Sequence, residues 1–225
     1  IPTNLKAGNF LAYCDSISES IVRALKAAKV RYVVNLSSIG ADLSEGTGPI
    51  KGLHDHEERL NRIEGLNVLH LRPAAFMENL LGSIDLIRSR GVNGSAYRGD
   101  LKFPMIATRD IAAAAAERLV KRDFTGSAIE PLLGQRDLSM VEATEIIGRR
   151  INKPGLSYIM YPYDEAEKGF INAGMSPDMS RLYIEMVRSV NEGRIYGTVA
   201  RTPENTTPTS FEAFCDEVFV PAYTP

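Results

Sequence analysis

Two apolar runs that stop abruptly at polar or bend-forming residues restrict the folds open to this chain more than any other feature. Residues 31–41 read RYVVNLSSIGA, and a second run, Asn67–Leu71, ends at Arg72 and Pro73. Near-continuous apolar strands are buried on both faces, as in parallel sheets covered by helices. In open α/β sheets, ligands bind outside the carboxyl ends of the strands. Ser37 and Ser38 lie at such an end, where a buried hydroxyl needs backbone, water or a ligand as partner.

Helical patterns alternate with these strands. Ser16 and Glu19 have capping-box spacing, and Ile17, Ile21, Val22, Leu25 and Ala28 mark one helical face. Strand Tyr32–Leu36 leads into a small-residue loop, 40–52, and a helix to about Ile63 that stops at Gly65. A strand over 67–71 and a helix over 76–88 follow, closed by Gly91 and Gly94. Thr108 is expected to cap an alanine-rich helix over 110–120, and 127–133 reads as a further strand. Ser139 and Glu142 form a second capping box before a helix to about Ile151. Strand 156–161, helix 164–173 and a helix opened by Ser176–Pro177 come next, and Thr209 with Glu212 suggests a third box before the last helix. The alternation predicts right-handed βαβ crossovers and an α/β fold. Residues 1–138 are expected to carry the sheet, and 139–225 a smaller, mainly helical lobe partly interleaved with it.

The chain has 225 residues, enough for one large domain or a domain with a small appendage. It is 44% hydrophobic and 24% charged, as soluble globular proteins are. A net charge of −2 argues against nucleic acid or an anionic membrane as partner. No apolar window reaches the length of a membrane span; the densest, 111–116, is flanked by charges. Cys14 and Cys215 lie near opposite ends and read as reduced, buried thiols, which points to the cytoplasm. The Asn-X-Ser/Thr patterns at Asn35, Asn93 and Asn205 are discounted as chance.

Several features read as structural. The glycines of 46–52 do not leave a strand directly and Pro49 lacks an N–H, so this is a flexible loop near the site and no phosphate cradle. His54 and His56, two apart on a helix, point about 200° apart and cannot share a metal, so none is expected. His70 reads as a packed or hydrogen-bonded core histidine, and the charged run 54–59 as a solvated helix face.

Five segments in order resemble the NmrA-like branch of the short-chain dehydrogenase/reductase superfamily. They are VVNLSSIGA (33–41), His54 with Glu58, LRPAAFMEN (71–79), TRDIA (108–112) and TTPTSFEAF (206–214). The resemblance implies a Rossmann-like, doubly wound parallel sheet, here partial, that holds NAD(P), NADP in preference to NAD. By it, Ile1–Asn4 matches the end of the fourth strand, and three upstream βα units of about 25–30 residues each are expected beyond the sequence in hand. The cofactor would touch Pro2, Thr3, Asn4, Ser37, Ser38, Ile39, His54, Pro73, Ala74, Phe76 and Asn79. Met77 and Tyr163 would face the substrate.

Typical relatives place a tyrosine four residues before a lysine on the helix after the serine-bearing strand. Ile50 and His54 hold those places here. Isoleucine transfers no proton, and positioned acid–base catalysis contributes ~10²–10⁴ in rate. His54 is the candidate catalytic residue, hydrogen-bonding a ribose hydroxyl or the substrate; the alternative is a solvated helix histidine. The resemblance therefore implies an NAD(P)H-dependent reductase of quinone-like or other small electrophiles, which accept hydride with little proton assistance. A non-enzymatic NAD(P) redox sensor that binds a regulatory protein partner is the alternative, and a sugar-nucleotide or phenylpropanoid enzyme using His54 a weaker third. A small-molecule substrate is the expected partner, with a homodimer as a further option.

Overall fold

The computed structural model describes residues 1–197 and 199–224. In chain order its elements are α1 (Phe10–Ala27), β1 (Tyr32–Leu36), α2 (Ile50–Asn61), β2 (Asn67–Pro73) and β3 (Ala75–Phe76). A 3-10 segment (Met77–Ser83) then leads to α3 (Ile84–Arg90), β4 (Val92–Ser95), β5 (Phe103–Ile106), α4 (Thr108–Lys121), β6 (Ser127–Leu132) and β7 (Asp137–Leu138). The rest holds α5 (Met140–Arg150), β8 (Ser157–Met160), α6 (Tyr163–Asn172), α7 (Pro177–Asn191) and α8 (Phe211–Phe214). A wide turn, Cys215–Phe219, carries α8 into the last helical residues, Val220–Tyr223.

The main sheet is parallel in the order β1-β2-β6, with Tyr32 opposite Asn67 and Val68 opposite Ser127. This is the mixed α/β architecture that the strand–helix alternation predicts, with the parallel sheet that the resemblance also implies. Successive side chains of a strand point to opposite faces. Val33 and Val68 accordingly pack with Val22 and Leu25 of α1 and Leu60 of α2, while Val34, Leu69 and Leu71 join Ile111 of α4 in the central core. That core continues through Ile87, Ile106 and Ile147 to Phe211, Phe214 and Phe219. Two smaller ladders sit beyond it: β3 pairs parallel with β5, which pairs antiparallel with β7, and β4 pairs parallel with β8.

Three expected caps are placed differently. Helix α1 begins two turns before Ser16, at Asn9, whose side chain accepts from Ala12 N at 3.0 Å. Phe10 and Cys14 extend the buried stripe backwards, so the helix had every reason to start early. Thr108 does not cap α4, because Glu78 takes both the Thr108 N–H (2.9 Å) and its hydroxyl (2.6 Å). At the third site Ser210 is the cap, accepting from Ala213 N, while the Thr209 hydroxyl and N–H both go to Asp110. The box at Ser139–Glu142 forms in full, and Ser176 caps α7.

Other expectations also change. Ile1–Asn4 is irregular and does not form a strand end. Strands β4 and β5 stayed hidden because Gly94 and Pro104 interrupt their pattern. The 46–52 loop is packed against the body of the protein, with Thr47 and Gly48 buried. Gly48 has φ +57, and a Cβ there would lie 1.9 Å from the carbonyl oxygen of Leu182, so only glycine lets this loop dock on α7. Cys14 and Cys215 are free and buried, and burial pushes their thiols up to about 11 and about 12.

Gly134, between β6 and β7, has φ +71, and a Cβ there would meet the Met105 carbonyl oxygen at 1.8 Å. Gly134→Ala should lose roughly 2–5 kcal/mol of stability, left-handed strain plus overpacking. Gly65, at φ +74 with open space around it, should lose only the backbone part on substitution by alanine, roughly 1–2 kcal/mol. Urea unfolding of both variants checks this; equal midpoints would contradict the packing argument.

Candidate functional site

The carboxyl ends of β1 and β2 continue side by side past the ladder. Ser37 N donates to Leu71 O at 2.8 Å and Ile39 N to Pro73 O at 3.1 Å, while Ala74 N reaches Leu132 O at 2.9 Å. The face of the sheet under α2 turns polar toward this end. Asn35 Nδ2 donates to His70 Nδ1 at 3.0 Å, which leaves the Nε2–H for Asn61 Oδ1 at 2.9 Å. One step further, Ser37 donates its hydroxyl to Glu57, which also accepts Arg72 through Nε (3.0 Å) and Nη2 (2.6 Å). The Glu57 side chain is 4% exposed and that of Arg72 14%. The Ser37 hydroxyl is therefore satisfied inside the protein.

The charged run 54–59 is accordingly no solvated face. His56 and Glu57 are buried because the sheet beneath offers them Arg72 and Ser37, and α1 offers Ser18, whose hydroxyl pairs with His56 Nδ1 at 2.7 Å. Burial lowers the His56 imidazole to about 4 and lowers that of His70 as well. His54 is only half-buried; its Nδ1–H donates to Ala41 O at 2.8 Å, and Nε2 has no protein partner among the described residues. The described residues contain no cluster of ligands suited to a metal ion.

The remaining sequence-derived positions separate into two groups. Ile39, Pro73, Ala74 and Met77 are buried, and Met77 belongs to the central core. Ser38 donates its hydroxyl to Ile39 O at 2.9 Å, and Pro2 and Thr3 are exposed, with Asn4 Oδ1 accepting from Lys6 N. Tyr163 lies under the Arg188 guanidinium, 4.1 Å from its ring centre, and its hydroxyl accepts from Asn191 Nδ2 at 2.8 Å.

Phe76 and Asn79, by contrast, open onto a cavity of about 260 Å³ between the sheet end and α6–α7. Its other walls include Leu80, Phe103, Met105 and Met140 opposite Phe170 and Val187, with the phenols of Tyr97 and Tyr183 among them. Phe76 also borders an apolar groove of about 220 Å³ along β1 and α4, lined by Val34, Leu36, Leu71 and Ile111. Sequence reasoning missed Tyr97, Phe103, Phe170 and Tyr183. They come from a loop, a short strand and two helices, and no local pattern marks them as neighbours.

Replacing Glu57 by alanine would leave Arg72 only its longer contact to the partly exposed Asp42 (3.8 Å) and should cost about 3 kcal/mol, toward the low end for removing one partner of a buried pair; thermal or urea unfolding measures it. His56 is neutral in the fold, with its pKa lowered from 6.5 to about 4. Its contribution is complete above the unfolded value of about 6.5 and falls away as pH drops toward 4, by roughly 3 kcal/mol in all. His70 acts in the same direction. In His56→Gln the decline of stability between pH 6.5 and pH 4 should flatten; an unchanged slope would contradict the assignment.

No family model matches the chain. Among curated proteins it is 29% identical over 136 residues to (4-alkanoyl-5-oxo-2,5-dihydrofuran-3-yl)methyl phosphate reductase of Streptomyces griseus, spanning 60% of this chain and 48% of that protein. It is 29% identical over 178 residues to festuclavine dehydrogenase easG of Aspergillus fumigatus, spanning 76% and 58%. The chain thus spans about half the length of the curated relatives it matches. Among solved structures, the NADPH-dependent quinone oxidoreductase QOR2 of Escherichia coli aligns with a TM-score of 0.74 at 20% identity over 90% of this chain and 72% of that one. The negative transcriptional regulator NmrA in complex with NADP aligns with a TM-score of 0.63 at 14% identity over 91% and 69%. With its parallel β1-β2-β6 sheet and helices on both faces, the chain shares the Rossmann-like fold of these solved structures.

Proposed function

We propose that this protein is an NAD(P)H-dependent reductase of small, flat electrophiles of the quinone type, with NADP(H) preferred over NAD(H). The observation that carries the reading is the aromatic-walled cavity, which shares Phe76 and Asn79 with the ligand-binding end of the sheet. At about 260 Å³ it lies just below the usual range of small-molecule sites, about 300–1,000 Å³, and suits one or two fused rings. The residues present fit the nicotinamide end of a dinucleotide: Phe76 forms an apolar shelf between cavity and groove, and the exposed Asn79 supplies an amide for a carboxamide. The preference for NADP(H) is supported by similar structures that hold NADPH or NADP.

Bound cofactor would supply the hydride; the protein's share is orientation and exclusion of water. Phe76, Phe103 and Phe170 wall off the cavity, and Asn79 marks its mouth. On α2, Ile50 is buried and His54 is tied by Nδ1 to Ala41, so that helix offers at most one imidazole nitrogen to a ligand. Quinones suit such a site, because they gain aromaticity on reduction and need little help from an acid.

The test is NADPH oxidation by the purified natural protein with a panel of quinones, followed by near-ultraviolet absorbance. Turnover is expected, and Phe76→Ala should raise the quinone KM about tenfold, the loss of one good aromatic contact. NADPH binding without turnover on any quinone would replace this reading with that of a redox sensor. Absence of NADPH binding would overturn both.

A further inference from the structure

The walls of the aromatic cavity carry no formal charge. Among the described residues that line it there is no lysine, arginine, histidine, aspartate or glutamate. Charged residues make up 24% of the chain, so this neutrality belongs to the site and not to the composition. The charged residues adjoining the lining in sequence are engaged elsewhere. Arg98, next to Tyr97, pairs with Asp100 at 2.7 Å, and Lys102, next to Phe103, pairs with Glu142 at 2.7 Å. Glu78, next to Asn79, accepts the N–H and hydroxyl of Thr108, and Arg188, next to Val187, lies over the Tyr163 ring.

Most polar groups of the lining are also satisfied within the protein. Asn93 Nδ2 donates to Thr144 Oγ1 at 2.8 Å, and the Ser95 hydroxyl pairs with that of Tyr158 at 2.6 Å. The Ser83 hydroxyl donates to Leu80 O at 2.7 Å, and Ala96 O accepts from Asn191 Nδ2 at 3.0 Å. The remaining surface is largely hydrocarbon and ring. Phe170 meets Tyr183 edge to face at 5.0 Å, and Tyr97 packs on Phe103 with centroids 5.6 Å apart. An anion entering this space gives up water and finds no opposite charge, and the faces of aromatic rings are themselves negative. A flat neutral ring meets no such penalty.

One position on the rim lacks a side chain altogether. Gly82 is exposed and lines the cavity, and a Cβ added there would meet nothing within 4 Å. A cationic side chain would fit at Gly82 without repacking the wall.

We propose that this lining is a charge filter: the cavity admits uncharged flat rings and rejects those bearing a phosphate, sulfonate or carboxylate. Gly82 is the rim position at which a side chain able to hold such a group is missing. The proposal rests on reading the cavity as the substrate pocket, and it narrows the substrate class to molecules without an anionic group.

The test is calorimetric titration of the natural protein, loaded with NADP, with 1,4-naphthoquinone and with its 6-sulfonamide and 6-sulfonate, two substituents of matched size that differ in charge. The sulfonamide should bind roughly ten- to a hundredfold more tightly than the sulfonate, as an unpaired charge at the mouth of an apolar site dictates. Gly82→Lys should narrow that ratio about three- to fivefold at low ionic strength, the worth of one exposed ion pair, and the gain should vanish in ~0.5 M salt. Gly82→Gln, of similar length but uncharged, should keep the wild-type ratio. Equal affinities for sulfonamide and sulfonate in the wild type would overturn the filter and leave the reductase reading standing, as would loss of both when the unsubstituted quinone binds, since shape would then be selecting. A ratio unmoved in Gly82→Lys would overturn the role given to Gly82. If none of the three compounds bound, the cavity reading and the filter would fall together.

Discussion

A carboxylate shut away from water must find partners or lose its charge, and Glu57 finds them at the ends of two different strands. Its oxygens accept the Arg72 fork from β2 and the hydroxyl of Ser37, the residue after β1, while Glu57 itself sits on α2. Three elements are thereby joined at one point, at the carboxyl end of the sheet. The arrangement is bidentate and charge-assisted, the geometry in which Arg–carboxylate pairs are strongest. Such a pair adds less to net stability than its Coulomb attraction suggests, because desolvation opposes it. What it contributes is position. With helix and strands pinned together, Ser38, Pro73 and the chain leading to Phe76 have little freedom.

The far wall of the cavity is placed from the same end of β1 by a different device. The loop leaving β1 runs through Thr47 and Gly48, and the missing Cβ of Gly48 lets its backbone close on Leu182. Gly48 N also reaches Glu185 Oε1 at 3.4 Å. Leu182 directly precedes Tyr183, so the docking of this loop locates the phenol that faces the cavity. Tyr97 and Phe170 then pack with Tyr183 and Val187 in a small cluster of their own. Both walls of the cavity are thus referred back to β1, one through Glu57 and Arg72, the other through Gly48.

Much of the sheet was legible because it is written in short-range signals. Tyr32–Leu36 and Asn67–Leu71 are dense apolar runs with clear ends, and Ser176–Pro177 announces α7 by capping chemistry alone. Signals failed where a distant group did the work a local one was expected to do. Glu78 reaches across to take the cap at Thr108, and Asp110 draws Thr209 away from the last helix. Glu57 looked like part of a solvated charged run because its partners, Ser37 just past β1 and Arg72 on β2, are distant in sequence. The cavity shows the same division. Phe76 and Asn79 follow β2 directly, so the family resemblance reaches them, whereas Tyr97 and Tyr183 meet only through packing between α7 and the loop after β4.

The fate of α2 connects the site to the fold. In the family that the sequence resembles, the corresponding helix is expected to present a tyrosine and a lysine. Here Ile50 is buried, His54 is held by Ala41, and the next turn turns His56 and Glu57 inward against α1 and the sheet. A helix that spends its inner face on a buried ion pair and a neutral histidine is organised for fixing the strands. The tyrosines that line the cavity, Tyr183 of α7 and Tyr97 of the loop after β4, belong to other elements. Their wall is fixed by aromatic packing and by a glycine contact, both insensitive to charge. The helix that fixes the strands, α2, and the helix that walls the cavity, α7, are thus different elements, both referred back to β1.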